Sequence, residues 1–391
     1  MDVLAVWLGL TEIWARVFYL LAAVSVYNFF RPLLFSLGAE TAHNVGMRTA
    51  RLAQATGFPF MEGMFAWDDD RLAQTVLGMD FPSPIGLAAG FDKNGKLVRF
   101  WERLGFGFVE VGSVSAKSSK GNKRPRAFRL EADEALINRM GLNNQGAARI
   151  GRRLGKVAPQ LGIPMGINLA KTHSPTIMGD AAIEDFRTSF RALASHASYV
   201  ALNISCPNTT EGKTFEDPEA FESLLKVIFA ERATMGLDVP ILVKLSPPLT
   251  DKVVFDSLVE DVLALAVQYG VAGLIATNTA SDRKGLQTTS ERLDTIGRGG
   301  LSGKPLEQRA TRLVRYLYQK TEGQIPIIGV GGVHSAESAY AKIRAGASLV
   351  QLYTALVYEG PGLIRQIKEG LVTCLERDGF GHISEAIGQD A

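Results

Sequence analysis

Eight short apolar runs, each ending in a polar or glycine-rich corner and mostly separated by helical stretches, predict an α/β chain folded as a (β/α)8 TIM barrel. Length agrees: the chain has 391 residues, and such a barrel takes ~250, which leaves room for one barrel and an added element. The third observation is an apolar N-terminal stretch unlike the rest, read as a helical membrane-associating extension. The runs are Ile85–Leu87, Phe108–Val111, Met165–Ile167, Val200–Leu202, Ile241–Val243, Leu274–Ala276, Ile327–Val330 and Leu349–Leu352. Active sites of this fold are built at the carboxyl ends of the strands, so the corners after these runs are where chemistry is expected.

In chain order the extension comes first. Residues 1–30 form the expected membrane segment: Val3–Phe30 is strongly apolar, interrupted chiefly by Thr11, Glu12, Arg16 and Asn28. A spanning helix needs about 20 apolar residues, and Ile13–Phe30 approaches that only by tolerating Arg16. A basic start with a small-residue cleavage site, as in a secretory signal, is missing, and so is an Arg-rich mitochondrial presequence. Arg31-Pro32 is expected to break the run. Residues 31–70 then read as a helical cap, with Leu33, Leu34, Leu37, Val45 and Leu52 on an apolar face and Glu40, Arg48 and Arg51 elsewhere. Such a helix can lie in a membrane interface or cap the barrel. The Gly57–Asp70 cluster of glycine, proline and aspartate closes the cap, and 71–391 is the barrel domain.

Crossover helices are expected at Lys96–Leu104, Gln145–Val157, Ala181–Ser195, Pro218–Thr234, Asp251–Tyr269, Pro305–Thr321, Ser335–Ala345 and Pro361–Arg377. Asp217 as N-cap and Pro218 at the first helical position open the fourth. An insertion, Ser115–Asn144, holds two β-like pieces around Phe128–Leu130 and Leu136–Ile137. Two further connections are long, Pro207–Glu216 and the glycine-bearing Thr279–Lys304. Both leave the ligand-binding end of the barrel, where long loops are usually functional.

The formal charge of +2 gives no support to nucleic-acid binding. Two cysteines, Cys206 and Cys374, make no disulfide framework and fit a reducing compartment. Cys374 sits in the last helical pattern as a small buried filler. No metal site is read from the sequence.

Chemistry concentrates in two constellations. Gly329-Val-Gly-Gly-Val333 and Leu349-Val-Gln-Leu-Tyr-Thr354 follow strands seven and eight, whose loops frequently bind phosphate through glycine backbone N–H groups and a helix N-terminus. A Gly-Gly alone fits a tight turn equally well; the Thr354 hydroxyl and the Ser302-Gly303 turn make phosphate the better reading. The second is Asn203-Ile-Ser-Cys-Pro-Asn208, which puts a thiol just past a strand end. With a reference pKa of about 8.5, a thiol can serve as a general base near neutrality. Asn138, Asn203, Asn208 and Asn278 would reach the same mouth, and carboxamides suit a planar ring with alternating N–H and C=O groups. Lys93 and Lys244 suit a carboxylate or an electron-rich flavin.

These residues resemble the dihydroorotate dehydrogenases, specifically the membrane-associated, quinone-linked class 2, over about residues 35–360. The resemblance rests on Gly86-Leu-Ala-Ala-Gly-Phe-Asp-Lys93, Gly105-Phe-Gly-Phe-Val-Glu-Val-Gly-Ser113, Gly121-Asn-Lys-Arg-Pro-Arg-Ala-Phe-Arg129, Ile137-Asn-Arg-Met-Gly141, Asn203–Thr209, Gly300-Leu-Ser-Gly-Lys304 and Ile343–Thr354. It implies an FMN-containing enzyme that oxidises dihydroorotate to orotate in pyrimidine synthesis and passes electrons to a membrane quinone. By similarity, Ala88, Ala89, Gly90, Gly112, Ser113, Asn168, Asn203, Lys244, Thr277, Gly303, Gly332, Tyr353 and Thr354 contact the flavin. Lys93, Asn138, Asn203, Asn208, Asn278 and Thr279 hold the substrate, Cys206 is the catalytic base, and His43, Arg129 and Tyr353 border a quinone tunnel.

The sequence departs from the class in three places. Cys206 stands where class 2 usually has serine and the soluble class 1 has cysteine. Leu142 replaces a common aromatic, and Ala170-Lys171-Thr172 replaces a usual Gly-Lys-Asn. Cys206 keeps two alternatives open, the same half-reaction with a soluble acceptor such as fumarate, and a related dihydropyrimidine-oxidising flavoprotein. Lys93 argues against the second, because an uncharged ring has no carboxylate to pair with. The expected location is the cytoplasmic face of a bacterial inner membrane, favoured over the mitochondrial inner membrane only by the missing presequence, with the bilayer as a partner of the N-terminal segment.

Overall fold

The computed structural model describes residues 27–56, 65–204, 215–247 and 257–391. A hairpin, β1 (Gln74–Val76) and β2 (Met79–Phe81), precedes barrel strands β3 (Ile85–Leu87) and β4 (Phe108–Val114). The insertion contributes β5 (Ala127–Leu130) and β6 (Ala135–Asn138). The barrel continues through β7 (Met165–Leu169), β8 (Tyr199–Asn203), β9 (Ile241–Leu245) and β10 (Gly273–Ala276). After β11 (Gly300–Gly303), strands β12 (Ile327–Val330) and β13 (Leu349–Leu352) complete it.

The closed sheet runs β3-β4-β7-β8-β9-β10-β12-β13, all parallel, and Val350 of β13 pairs with Ile85 of β3 to shut it. Each of the eight predicted runs is a barrel strand. Several extend past their apolar residues because pairing continues into the polar corner, as where Asn203 stands beside Lys244.

Helices α1 (Ala39–Thr56), α2 (Val98–Arg103), α3 (Ala147–Val157), α4 (Asp180–Leu193) and α5 (Pro218–Thr234) come first, followed by α6 (Ser257–Gln268) and α7 (Ser290–Ile296). Then come α8 (Glu307–Lys320), α9 (Ala336–Arg344), the short α10 (Ala355–Glu359) and α11 (Leu363–Asp378). The Asp217 side chain accepts from the Ala220 N–H at 3.2 Å, so the predicted cap forms. For the fifth crossover, 251–256 lie outside the described residues.

Burial comes in two layers. Phe186, Phe190, Phe221 and Leu313 fill the space between strands and helices, while Phe108, Tyr199, Ile275 and Leu349 fill the barrel. The β1–β2 hairpin, unforeseen from sequence, adds Val76 and Phe81 to that interior, with the Phe81 and Phe108 rings edge-on at 5.4 Å. Its Leu77-Gly78 turn has φ of +56° and +71°, and leucine at the first turn position hides the usual Asn-Gly signal. Cys374 is buried as expected, 5% exposed.

The two long connections meet. The β-like pieces of the insertion are β5 and β6, and β11, from the Thr279–Lys304 connection, pairs antiparallel with β6. That connection, expected as a loop, therefore carries a strand and α7.

Arg31-Pro32 ends the apolar run without ending a helix, and the single helical face read from Leu33 to Leu52 is interrupted. The backbone is helical over 27–36, through Pro32, and bends at Leu37-Gly38 before α1. Proline removes one N–H and need not end a helix, whereas here the last carbonyls are taken by a cation. Arg129 donates to the carbonyls of Leu34 at 3.2 Å, Phe35 at 3.0 Å and Leu37. Residues 1–26, most of the predicted membrane segment, lie outside the described residues. No helix among the described residues is long and apolar enough to cross a membrane.

Candidate active site

The carboxyl ends of the strands surround a cleft enclosing about 1080 Å³ of empty space, open mouth included, with β6 and β11 along its rim. One end is built from side chains. Glu110, 1% exposed inside the barrel, accepts from Asn168 Nδ2 at 2.9 Å, Gln351 Nε2 at 2.8 Å and the Tyr199 hydroxyl at 3.1 Å. Asn168 Oδ1 in turn accepts from the Ser113 hydroxyl at 2.5 Å, and Ser113 Oγ accepts from Asn203 Nδ2 at 3.1 Å. Asn203 Oδ1 accepts from Asn278 Nδ2 at 3.2 Å, and Asn278 Oδ1 from the Thr279 N–H at 2.8 Å. The buried carboxylate thus fixes the orientation of each amide along a chain that runs to the mouth.

The other end is built from backbone. Gly303, Gly331 and Gly332 have φ of +108°, +111° and +77°, a region that disfavours any side chain. At Gly332 a Cβ would lie 2.3 Å from Glu307 Cα, and at Gly303 one would lie 2.5 Å from the Glu134 carbonyl oxygen. The loop after β12 therefore rests directly on the first turn of α8. Thr354 donates to Ser302 Oγ at 2.9 Å beside it. Positive-φ glycine backbone, the Ser302 and Thr354 hydroxyls and a close-packed loop suit an anion.

Two lysines line the cleft. Lys93 donates to the Gly90 carbonyl at 2.5 Å. Burial, with the nearby Arg126 charge, pushes its ammonium down to about 8, against the pull of Glu40 and Asp92. Lys244 stands 4.0 Å from Glu110 Oε1; burial lowers its pKa and the carboxylate raises it. Burial also lifts the Tyr353 phenol to about 12.

This arrangement has close relatives. The sequence profile described as Dihydroorotate dehydrogenase matches residues 71–375. A Haloarcula marismortui protein named dihydroorotate dehydrogenase (quinone) is 43% identical over 366 residues, spanning 93% of this chain and 99% of that protein. A Chloroflexus aurantiacus protein of the same name is 43% identical over 358 residues, 88% of this chain and 95% of its own. The crystal structure of DHODH from Eimeria tenella in complex with ferulenol superposes with a TM-score of 0.80 at 32% identity, covering 92% of this chain and 98% of that one. The chain belongs to the dihydroorotate dehydrogenase family.

Seen as a member of that family, the chain brings most of the sequence-predicted site residues into one place. Ala88, Ala89, Gly90, Ser113, Asn203, Lys244, Thr277, Gly303, Gly332, Tyr353 and Thr354 line the cleft, as do Lys93, Asn138, Asn278 and Thr279. Gly112 and Asn168 stand behind that lining: the Gly112 carbonyl accepts from the Gly90 N–H at 2.6 Å, and Asn168 is wholly buried. Cys206 and Asn208 lie outside the described residues. His43 and Arg129 belong to the junction with the cap. The His43 ring meets Phe91 at 5.1 Å, Phe91 meets Tyr353 at 5.1 Å, and Arg129 lies over the Phe35 ring at 4.5 Å.

Sequence reasoning missed Glu110 and Gln351, because both sit mid-strand, where apolar residues are expected. Their signal was available: a carboxylate and an amide inside short hydrophobic runs need each other. Of the departures noted, Leu142 lines the cleft with φ of +52°. Thr172 points away from it, donating to Asp185 Oδ1 of α4 at 2.7 Å while accepting from the Lys117 N–H at 3.1 Å. The Thr172 change is a matter of loop bracing, not of the cleft.

Proposed function

We propose that this protein oxidises (S)-dihydroorotate to orotate, with FMN as hydride acceptor and a membrane quinone as final electron acceptor, in de novo pyrimidine biosynthesis. The family as a whole is flavin-dependent, and its quinone-linked members are the relatives reported above. The observation that carries the reading is that one continuous cleft joins a side-chain end suited to a planar, carboxylate-bearing amide ring with a backbone end suited to a phosphate. The residues fit FMN in a second respect. Gln351 Oε1 is buried and has no hydrogen-bond partner among the described residues, while its nitrogen is committed to Glu110, and the pyrimidine portion of an isoalloxazine offers an N–H of the kind it needs.

Bound FMN would supply the two-electron acceptor. Gly303, Gly332 and Thr354 would hold its phosphate, and Ala88, Ala89, Gly90, Ser113, Asn203, Lys244, Thr277 and Tyr353 its ring, with Gly112 and Asn168 bracing them. Lys93 would pair with the substrate carboxylate, and Asn138, Asn203, Asn208, Asn278 and Thr279 would hold the ring amides, a positioning contribution. Cys206, which follows the end of β8 by three residues, would take the proton from substrate C5 as hydride leaves C6, giving the C5=C6 bond of orotate. A thiol needs less activation than a hydroxyl for that step.

The cap is proposed as the quinone's way in. The run of rings from His43 through Phe91 to Tyr353 links it to the cleft. Phe29, Leu33 and Leu52, at 79%, 64% and 67% exposed, are apolar side chains turned to solvent and suited to lipid. The proposed location is the cytoplasmic face of a bacterial inner membrane, with the N-terminal segment in the bilayer. Anaerobic mixing with dihydroorotate is expected to bleach the flavin's visible band, and a ubiquinone analogue should restore it faster than fumarate. Absence of bleaching would overturn the reaction, and faster recovery with fumarate would overturn the acceptor.

A further inference from the structure

We propose that Lys342, buried beneath the junction of β12 and α8, is a positioning residue whose ammonium balances the cofactor phosphate through the Gly331-Gly332 loop. The inference rests on the reading that a phosphate sits at that loop. Lys342 is 0% exposed. Its stem passes under β12, where a Cβ on Gly329 would lie 3.2 Å from Lys342 Cδ. Its Nζ donates to the Glu307 carbonyl at 3.1 Å and to Thr311 Oγ1 at 2.9 Å. Both oxygens are neutral. The Glu307 carboxylate of the same turn instead faces His334 Nδ1 at 3.6 Å, near the surface.

A buried ammonium whose hydrogen-bond partners are both neutral is expensive, and the Glu307 carboxylate, turned towards His334, offsets that cost only in part. The ammonium and the glycine loop share one helical turn, because Gly332 rests on Glu307. A phosphate monoester carries ≈ −1.5 to −2 charge near pH 7. The cations that line the cleft are held elsewhere, Lys93 by the Gly90 carbonyl and Lys244 beside Glu110. Burial pushes Lys342 down to about 7, with Glu307 opposing, so an anion on the far side of the loop would hold it charged. If the lysine merely tied α9 to α8, its charge would not matter.

FMN and riboflavin differ by the phosphate alone, so their competition isolates that charge. The full-length holoprotein, wild type or Lys342→Met, is equilibrated with excess FMN and riboflavin in equal amounts, desalted, and its bound flavins are separated and counted. Wild type should hold FMN in large excess, and Lys342→Met should lower the FMN-to-riboflavin ratio by about tenfold or more, with riboflavin retention unchanged. Should Lys342→Met not accumulate folded, Lys342→Gln, neutral but able to donate to both oxygens, reads the same ratio. An unchanged ratio, or equal weakening of both flavins, overturns the proposal. A wild type indifferent to the phosphate would instead remove the reading beneath it.

Discussion

Within the barrel, Ile327, Val350 and Leu349 are wholly buried, and each strand is paired on both sides around a closed sheet. The cap that leads into it is built the other way. Phe29, Leu33 and Leu52 of the N-terminal helices face outward, and their attachment combines apolar contacts, Met47, Ala50 and Ala53 against the core and Phe35 against the Tyr358 ring at 5.6 Å, with polar grips. Tyr27 donates to the Val357 carbonyl at 2.7 Å, Arg31 to that of Tyr358 at 3.0 Å, and Arg126 grips Glu40 at 2.8 and 3.1 Å. The closed sheet pairs every barrel strand without help from the cap, so the cap can be altered at less cost to the body than the barrel can. The two half-reactions should therefore come apart: substrate oxidation belongs to the barrel, electron delivery to the cap.

The largest effect should come from the barrel side. Cys206→Ala is expected to slow flavin reduction by dihydroorotate by about 10²–10⁴, the usual contribution of a general base, in anaerobic stopped-flow measurements. Reoxidation by quinone should be unchanged; if both halves fall together, the division between the two regions fails. Cys206→Ser should retain activity at high pH and lose it sooner on acidification than wild type, because the hydroxyl needs more help to act as a base. An acidic limb that does not move would count against the thiol's role.

Next in size is Lys93→Met. Losing a charged hydrogen bond of about 1.5–3 kcal/mol should lower kcat/KM for dihydroorotate roughly 10- to 150-fold, mostly through KM. In wild type the ammonium is present below about 8 and lost above it, so KM for dihydroorotate should rise as pH passes that point. A bound carboxylate raises the lysine's pKa, so kcat should hold to higher pH than kcat/KM.

The same contrast explains what could be read in advance. The barrel was legible because apolar runs such as Ile85–Leu87 and Leu349–Leu352 recur with the fold's spacing, and their corners named most of the cleft. What escaped depends on partners distant in sequence. The β11 strand exists because Gly300–Gly303 finds β6 more than 150 residues earlier, and Gly-Leu-Ser-Gly has no strand propensity of its own. Glu110 and Gln351 make sense only as a pair brought together inside the barrel. The cap's bend at Leu37-Gly38 was missed for the same reason, since Arg129 lies over ninety residues away.

One thread crosses the boundary and gives a smaller effect. Glu40 of the cap raises the Lys93 pKa across the interface. Glu40→Gln should therefore move the alkaline rise in dihydroorotate KM to lower pH, while loosening Arg126 and raising the quinone KM several-fold. A shift in the quinone KM without any change in the dihydroorotate profile would show that the regions communicate by contact alone.

The smallest effect expected is also the sharpest test of the cap. Burial, aided by the Lys93 charge and opposed by Glu40 and by the hydrogen bond the ring donates to the Phe91 backbone, pushes His43 down to about 4. The imidazole is then neutral throughout the working range, and packs on Phe91 as an aromatic ring. Flavin reoxidation by a quinone analogue should be flat from roughly pH 5.5 to 9, since a group titrating near 4 is more than nine-tenths neutral one unit above its pKa. His43→Phe should keep that flat profile and change the rate by only a few-fold. A reoxidation rate that follows an ionisation near 6.5 in wild type, and loses it in His43→Phe, would mean the imidazole is charged and wet, and that the cap opens to water before the quinone enters.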